Sequence, residues 1–219
     1  MRVIRIAAAV AAIAMLTLAA PAQARKQKTS CPNEPGTFDY YVLSLSWSPQ
    51  HCATHSDHDQ CETFKRFGFV LHGLWPQCKN GYPSHCAAPG KLEPYQVSSM
   101  LDIMPSADLV THEWETHGTC SGLNPSEYFE AARLAFNSIK IPDQLRRPDN
   151  QVEQTPQAIA LALVNANQRL DRRAIVVDCD HRYLQEVRIC LDRDLAPQPC
   201  SGSVGSSCPA GTIIVRPVK

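Results

Sequence analysis

Two histidines, on separate stretches of this chain, are spaced so that each could handle one proton of a single phosphodiester cleavage. His72 lies in Phe69-Val70-Leu71-His72-Gly73-Leu74-Trp75-Pro76, at the end of an apolar run. Gly73 lets another group approach the backbone closely. Trp75 offers a flat apolar face suited to stacking on a base. His117 lies in Thr111-His112-Glu113-Trp114-Glu115-Thr116-His117-Gly118-Thr119-Cys120. On a helix Glu113 and His117 share a face, and His112 and Thr116 share the adjoining one. A carboxylate one turn from an imidazole raises its pKa and holds the ring. One imidazole could take the proton of a ribose 2′-OH as that oxygen attacks phosphorus. The other could protonate the departing 5′-oxygen, since both titrate near neutrality. Charge then builds on the non-bridging phosphate oxygens and calls for donors aimed at it.

Plainer readings stand beside these. His72 could be a core histidine beside a core tryptophan, and Glu113–His117 a solvated ion pair on a helix face. A zinc-protease reading of His112-Glu113 fails on geometry. His112 and His117 are five residues apart, which is roughly 140° around a helix, against about 40° for the metalloprotease spacing. No metal site or cofactor is expected.

The elements that must position these residues can be read from periodicity. Tyr40 to Trp47 alternates apolar side chains with Ser44 and Ser46, which predicts a half-buried strand. Phe67 to Leu71 predicts a second strand, stopped by His72-Gly73 and Pro76. Residues 76–94 predict a long loop. Helices are expected over Tyr95–Met104 and His112–Cys120. Two more begin at Asn124-Pro125 and Thr155-Pro156, the latter continuing to Leu170. Strands return at Ala174–Val177, Tyr183–Leu191 and Thr212–Val215. Helices and strands are grouped rather than alternating, so the expected fold is α+β, an antiparallel central sheet with several helices packed around it.

The chain has 219 residues and a formal net charge of zero. Arg2 and Arg5, an apolar run from Ile6 to Ala20, and Ala22-Gln23-Ala24 have the pattern of a secretory signal peptide, with cleavage expected after Ala24. An uncleaved N-terminal anchor is the competing reading. Residues 25–219 would then form a single domain, secreted or periplasmic, with no membrane span and acting as a monomer. Removing the leader leaves a formal charge of −2, which weakens the case for a highly basic, salt-driven nucleic-acid binder. All ten cysteines follow the leader, and none are spaced as metal-ligand pairs, so they are expected to form disulfides.

FVLHGLWPQ (69–77) and HEWETHGTC (112–120) together resemble the two signature blocks of the ribonuclease T2 family. FDYYVLSLSWSPQHC (38–52), GYPSHC (81–86) and LDIMPS (101–106) extend the resemblance from about Phe38 to Val215. It implies an α+β fold and metal-free cleavage of single-stranded RNA through 2′,3′-cyclic phosphates. It makes His117 the general base, His72 the general acid, Glu113 the carboxylate beside the phosphate and His112 an auxiliary phosphate contact. Trp75 would bind a base, with Gln77 and Ser46 as further candidates. It also implies the pairs Cys31–Cys78, Cys52–Cys61, Cys86–Cys120, Cys179–Cys208 and Cys190–Cys200.

One position departs from that pattern. The family usually has lysine before the second histidine, and here Thr116 stands there. A neutral hydroxyl would be a weaker donor than a charged one. Lys79, Lys91 and Arg133 are candidate replacement cations. The alternative is an exported RNA-binding or regulatory protein on the same scaffold, with little turnover.

Overall fold

The computed structural model describes residues 31–56, 58–62, 65–209 and 211–218. The expected leader, 1–24, lies outside them. In chain order the elements are β1 (Tyr40–Trp47), α1 (Ser48–Thr54), α2 (His58–Cys61), β2 (Phe69–Gln77), α3 (Pro94–Ser98), α4 (Ala107–Thr116) and α5 (Pro125–Ser138). There follow α6 (Asp143–Arg146), β3 (Val152–Gln154), α7 (Pro156–Ala166), β4 (Ile175–Asp180), β5 (Tyr183–Leu191) and β6 (Ile213–Val215), with 3-10 turns at Gly118–Cys120 and Arg172–Ala174.

The alternation along β1 divides the molecule into two faces. Tyr41, Leu43, Leu45 and Trp47 enter the main apolar core, while Tyr40 and Val42 join a second, smaller cluster. Ser44 and Ser46 share the face of Tyr40 and Val42 by the two-residue repeat. On β5, Val187, Ile189 and Leu191 enter the main core, which leaves Glu186, Arg188 and Cys190 opposite. Val110 and Trp114 of α4, Tyr128 and Phe129 of α5, and Ile159 and Leu163 of α7 fill that core. Each large side chain fully buried there contributes roughly 1.5–3 kcal/mol. The helices thus cover one face of the sheet and leave polar side chains on the other.

The strands run in the order β2-β1-β5-β6-β3, with β4 also paired to β5. The pairings are antiparallel except for one parallel contact, Tyr183 with Ile214, between β5 and β6. The α+β expectation holds, and the sheet is antiparallel but for that contact. β6 reaches the sheet after a long excursion, not through a hairpin, and only such a crossover can deliver a parallel neighbour.

β2 does not stop at His72. Ser44 pairs with Gly73 and Leu45 with Leu71, so His72 is an extra residue in a β-bulge. The bulge keeps both Leu71 and Leu74 in the core and turns His72, Gly73 and Trp75 to the polar face. Pro76 is tolerated because β2 is an edge strand.

The helix at the second histidine begins five residues earlier than expected, because Ser106 caps it by accepting from the Leu109 N–H at 3.2 Å. α5 starts with a capping box between Asn124 and Glu127. α3 covers only Pro94–Ser98 of the helix expected up to Met104. α7 ends at Ala166, where the Asn167 side chain donates to the Leu163 carbonyl at 2.8 Å and occupies the end of the ladder. Disulfides join Cys31–Cys78, Cys52–Cys61, Cys86–Cys120, Cys179–Cys208 and Cys190–Cys200.

Candidate active site

The bulge on β2 aims His72 away from the core, and β5 supplies its partner. His72 Nδ1 donates a very short hydrogen bond to Glu186 Oε1. That fixes the ring and leaves Nε2 as the nitrogen free for proton exchange, 3.7 Å from Glu113 Oε1. Glu113 comes from α4, the helix packed along the β2 edge, and its side chain is only 1% exposed. Trp75 Nε1 donates to Glu113 Oε2 at 2.7 Å. Gly73 makes this junction possible: a Cβ there would lie 2.0 Å from Glu113 Oε2 and 2.4 Å from Trp75 Nε1.

His117 terminates α4, its N–H bonded to the Glu113 carbonyl. Its ring centroid lies 5.4 Å from that of Trp75, and the His72 ring lies 5.0 Å from the same indole. Both imidazoles therefore lie beside one tryptophan. Nδ1 of His117 is buried and makes no hydrogen bond among the described residues, which leaves Nε2 as the nitrogen able to meet a ligand.

A cleft of ≈ 340 Å³ opens here, walled by Trp75, Gln77, Tyr82, Thr116, His117 and Arg188 among others. His117 is part of the wall of this cleft, whereas His72, Glu113 and Glu186 are not; the other hollows, ≈ 430 Å³ beside Ser48 and Arg216 and ≈ 540 Å³ beside Phe38 and Arg193, contain neither histidine. Ser46 lies one step away, donating to Glu186 at 3.3 Å. His112 is exposed and is not part of the cleft wall. His112 stands near enough to His117 for its charge to act on that ring.

The environments push the ionisable groups in opposite directions. Burial disfavours a charged His72, but the hydrogen bond and charge of Glu186, helped by Glu113, outweigh it and raise the pKa above the ordinary 6.5. Burial also opposes the charge on Glu186, yet His72 and Arg188 hold it down at about 2. Glu113 is pushed up to about 7 by burial, against the pull of His72 and Trp75. His117 is pushed down to about 3 by burial, reinforced by the positive charges of His112, His72 and His85.

The family's sequence pattern, Ribonuclease T2 family, matches residues 38–200. The chain belongs to this family. It is 39% identical over 170 residues to a ribonuclease of Aeromonas hydrophila, covering 74% of this chain and 75% of that one. The fold matches an RNase-related protein from Calystegia sepium with a TM-score of 0.67 at 27% identity, over 83% of this chain and 97% of the other. It also matches RNase NT in complex with 5′-AMP with a TM-score of 0.60 at 21% identity, over 82% and 98%.

Three residues of this T2 site were not foreseen. Glu186 and Arg188 look in sequence like the solvated side of an alternating strand, and Tyr82 like a loop residue. The available signal was that two charges on β5 share a face with Cys190, a residue type that is seldom exposed. The cations that sequence offered as substitutes lie elsewhere. Arg133 pairs with Asp102 at 2.5 Å, Lys79 borders the hollow at Phe38, and Lys91 is exposed outside the cleft wall. Thr116 Oγ1 is buried and unpartnered among the described residues, so the hydroxyl is not what this residue presents to the cleft.

Proposed function

We infer that this T2-family protein is an endoribonuclease that cleaves single-stranded RNA by transphosphorylation, without a metal ion. The carrying observation is the pair of imidazoles that both lie beside Trp75, near enough for the charge of one to act on the other, with pKa values driven apart by their surroundings. His117, neutral at any pH well above about 3, has a lone pair for the 2′-OH proton. His72, held cationic by Glu186, has a proton to give. The O2′–P bond forms as the P–O5′ bond breaks. The 2′ proton passes to His117 Nε2, and the His72 Nε2 proton passes to O5′. This leaves a 2′,3′-cyclic phosphate and a free 5′-OH. Water then opens the cyclic ester with the two roles reversed.

Glu113 lies near enough to His72 Nε2 to hold it toward the phosphate. Trp75 and Tyr82 offer rings at the cleft, and Gln77 a polar group for a base edge. That a protein of the same fold holds 5′-AMP supports a nucleotide-sized ligand in this architecture. The five disulfides support export to an oxidising compartment, periplasm or medium. The exported form in this reading is residues 25–219, a monomer released by removal of 1–24. No helix among the described residues is long and apolar enough to cross a membrane. The alternative of a scaffold without turnover rested on Thr116 alone; the intact histidine pair and the relatives named as ribonucleases weigh against it.

The test is cleavage of single-stranded RNA by the purified protein in EDTA. Activity is expected to persist, with kcat/KM falling on the acid side as His117 protonates and on the alkaline side as His72 deprotonates above 6.5. His72→Ala and His117→Ala are each expected to lose nearly all activity with unchanged circular dichroism. Full activity in either variant would refute the mechanism.

A further inference from the structure

The reaction places negative charge on the scissile phosphate, and the position where the family resemblance implies a lysine holds a threonine with a buried hydroxyl. Among the described residues that wall the cleft, Arg188 is the one with a permanent positive charge. It reaches the cleft from β5, on the polar face that also carries Glu186. Its guanidinium carbon lies 5.9 Å from the centroid of the Trp75 ring, the indole beside which both imidazoles lie.

The guanidinium is clamped along one edge. Nε donates to Glu186 Oε2 at 3.0 Å, and Nη2 donates to Glu186 Oε2 at 2.9 Å and Asp178 Oδ2 at 2.8 Å. Nη1 makes only a long contact, 3.4 Å, to the Gly205 carbonyl. A guanidinium has five N–H donors in a fixed fork, so these bonds leave an Nη1 hydrogen uncommitted. The side chain is 25% exposed and forms part of the cleft wall. Two carboxylates attenuate the charge, but they also hold the fork still. A donor fixed before the reaction stabilises developing charge without reorganising. Glu186 shares its charge with His72 as well, so with His72 protonated the cluster of Asp178, Glu186, Arg188 and His72 is formally neutral and leaves Arg188 less quenched.

We propose that Arg188 is a catalytic residue of this enzyme, its Nη1 donating to a non-bridging oxygen of the scissile phosphate and supplying the charge that Thr116 does not. It transfers no proton. The proposal rests on the ribonuclease function inferred above.

Single-turnover and steady-state cleavage of a dinucleoside monophosphate in EDTA, by wild type, Arg188→Gln, Thr116→Lys and the double variant, tests it. Arg188→Gln is expected to lower kcat about a hundredfold, with KM changed less than about threefold, as for loss of a transition-state donor. Thr116→Lys in the Arg188→Gln background is expected to recover at least about tenfold, because it puts a cation back into the same cleft. A purely structural role would predict a lowered Tm and no such recovery, and that result would overturn the proposal. Thr116→Lys alone is expected to gain less than about threefold, since the charge is already supplied; a hundredfold gain would also overturn it, whether or not Arg188→Gln folds. Wild type without activity would refute the ribonuclease function itself. Active wild type beside an equally active Arg188→Gln would refute only the role of Arg188.

Discussion

Glu113 shows how burial at a reactive site is felt in stability. Its carboxyl is 1% exposed and titrates at about 7 in the fold, against an ordinary 4.5. A carboxyl whose folded pKa is raised favours folding fully below the unfolded value. That advantage is lost as pH rises through the folded pKa. The gap corresponds to about 3 kcal/mol between pH 4 and pH 8. Glu113→Gln keeps an oxygen to accept from Trp75 but never has to bury a charge. It is therefore expected to be more stable than wild type at pH 8 by up to about 3 kcal/mol, and level with it near pH 4. Urea unfolding at the two pH values measures this, and a pH-independent difference would show that the carboxyl ionises without hindrance. His117 has the opposite sign. Its folded pKa of about 3 lies below the ordinary 6.5, so its contribution is complete above 6.5 and is lost as pH falls toward 3.

At the scale of the element, the strand bulge at His72 matters most. It places the His72 imidazole on the polar face while the core receives Leu71 and Leu74 without a break. Gly73 then leaves the space into which Glu113 and Trp75 close. Gly73→Ala would drive a methyl into the Glu113 carboxyl, and that helix cannot retreat without dragging Val110 and Trp114 from the core. The variant is expected to lose at least about a hundredfold in kcat, from misplacement of the reacting groups, and a few kcal/mol of stability. Wild-type kinetics in Gly73→Ala would mean that the close approach has no part in catalysis. In the sequence this glycine reads as permissive and His72 and His117 as candidates for proton transfer, because both signals are local. It ended the strand too early, because a bulge depends on the register with β1 and leaves no mark in the β2 residues alone. It also missed Glu186 and Arg188. Their importance comes from β5 lying between β1 and β4, where Asp178 and Ser46 stand opposite Glu186, and pairing across such distances is not legible in periodicity.

At the scale of the whole molecule, the site is assembled from two bodies. The sheet contributes His72, Trp75, Glu186 and Arg188, and the end of α4 contributes Glu113, Thr116 and His117. The loop after β2 ties them together. Cys86 is bonded to Cys120 just beyond α4, the His85 N–H donates to the Thr116 carbonyl at 2.9 Å, and Trp114 Nε1 donates to the Pro89 carbonyl at 2.7 Å. The Cys86–Cys120 bond closes a separation of 34 residues, for which chain entropy gives about 4 kcal/mol. Cys52–Cys61 closes only 9 residues, worth about 2.6 kcal/mol, and lies beside α1, away from the imidazoles. Removing either bond by paired serine substitution should therefore lower stability, the first more than the second. Only the loss of Cys86–Cys120 should change the chemistry of the molecules that remain folded. It frees the end of α4 to shift, and misplacing a reacting group by about 1 Å can cost a hundredfold in rate. Active-site titration combined with kcat at 25 °C separates the two effects. A kcat per folded molecule that falls equally in both variants would mean that the disulfides act through stability alone and that the register of the two histidines is held by the core.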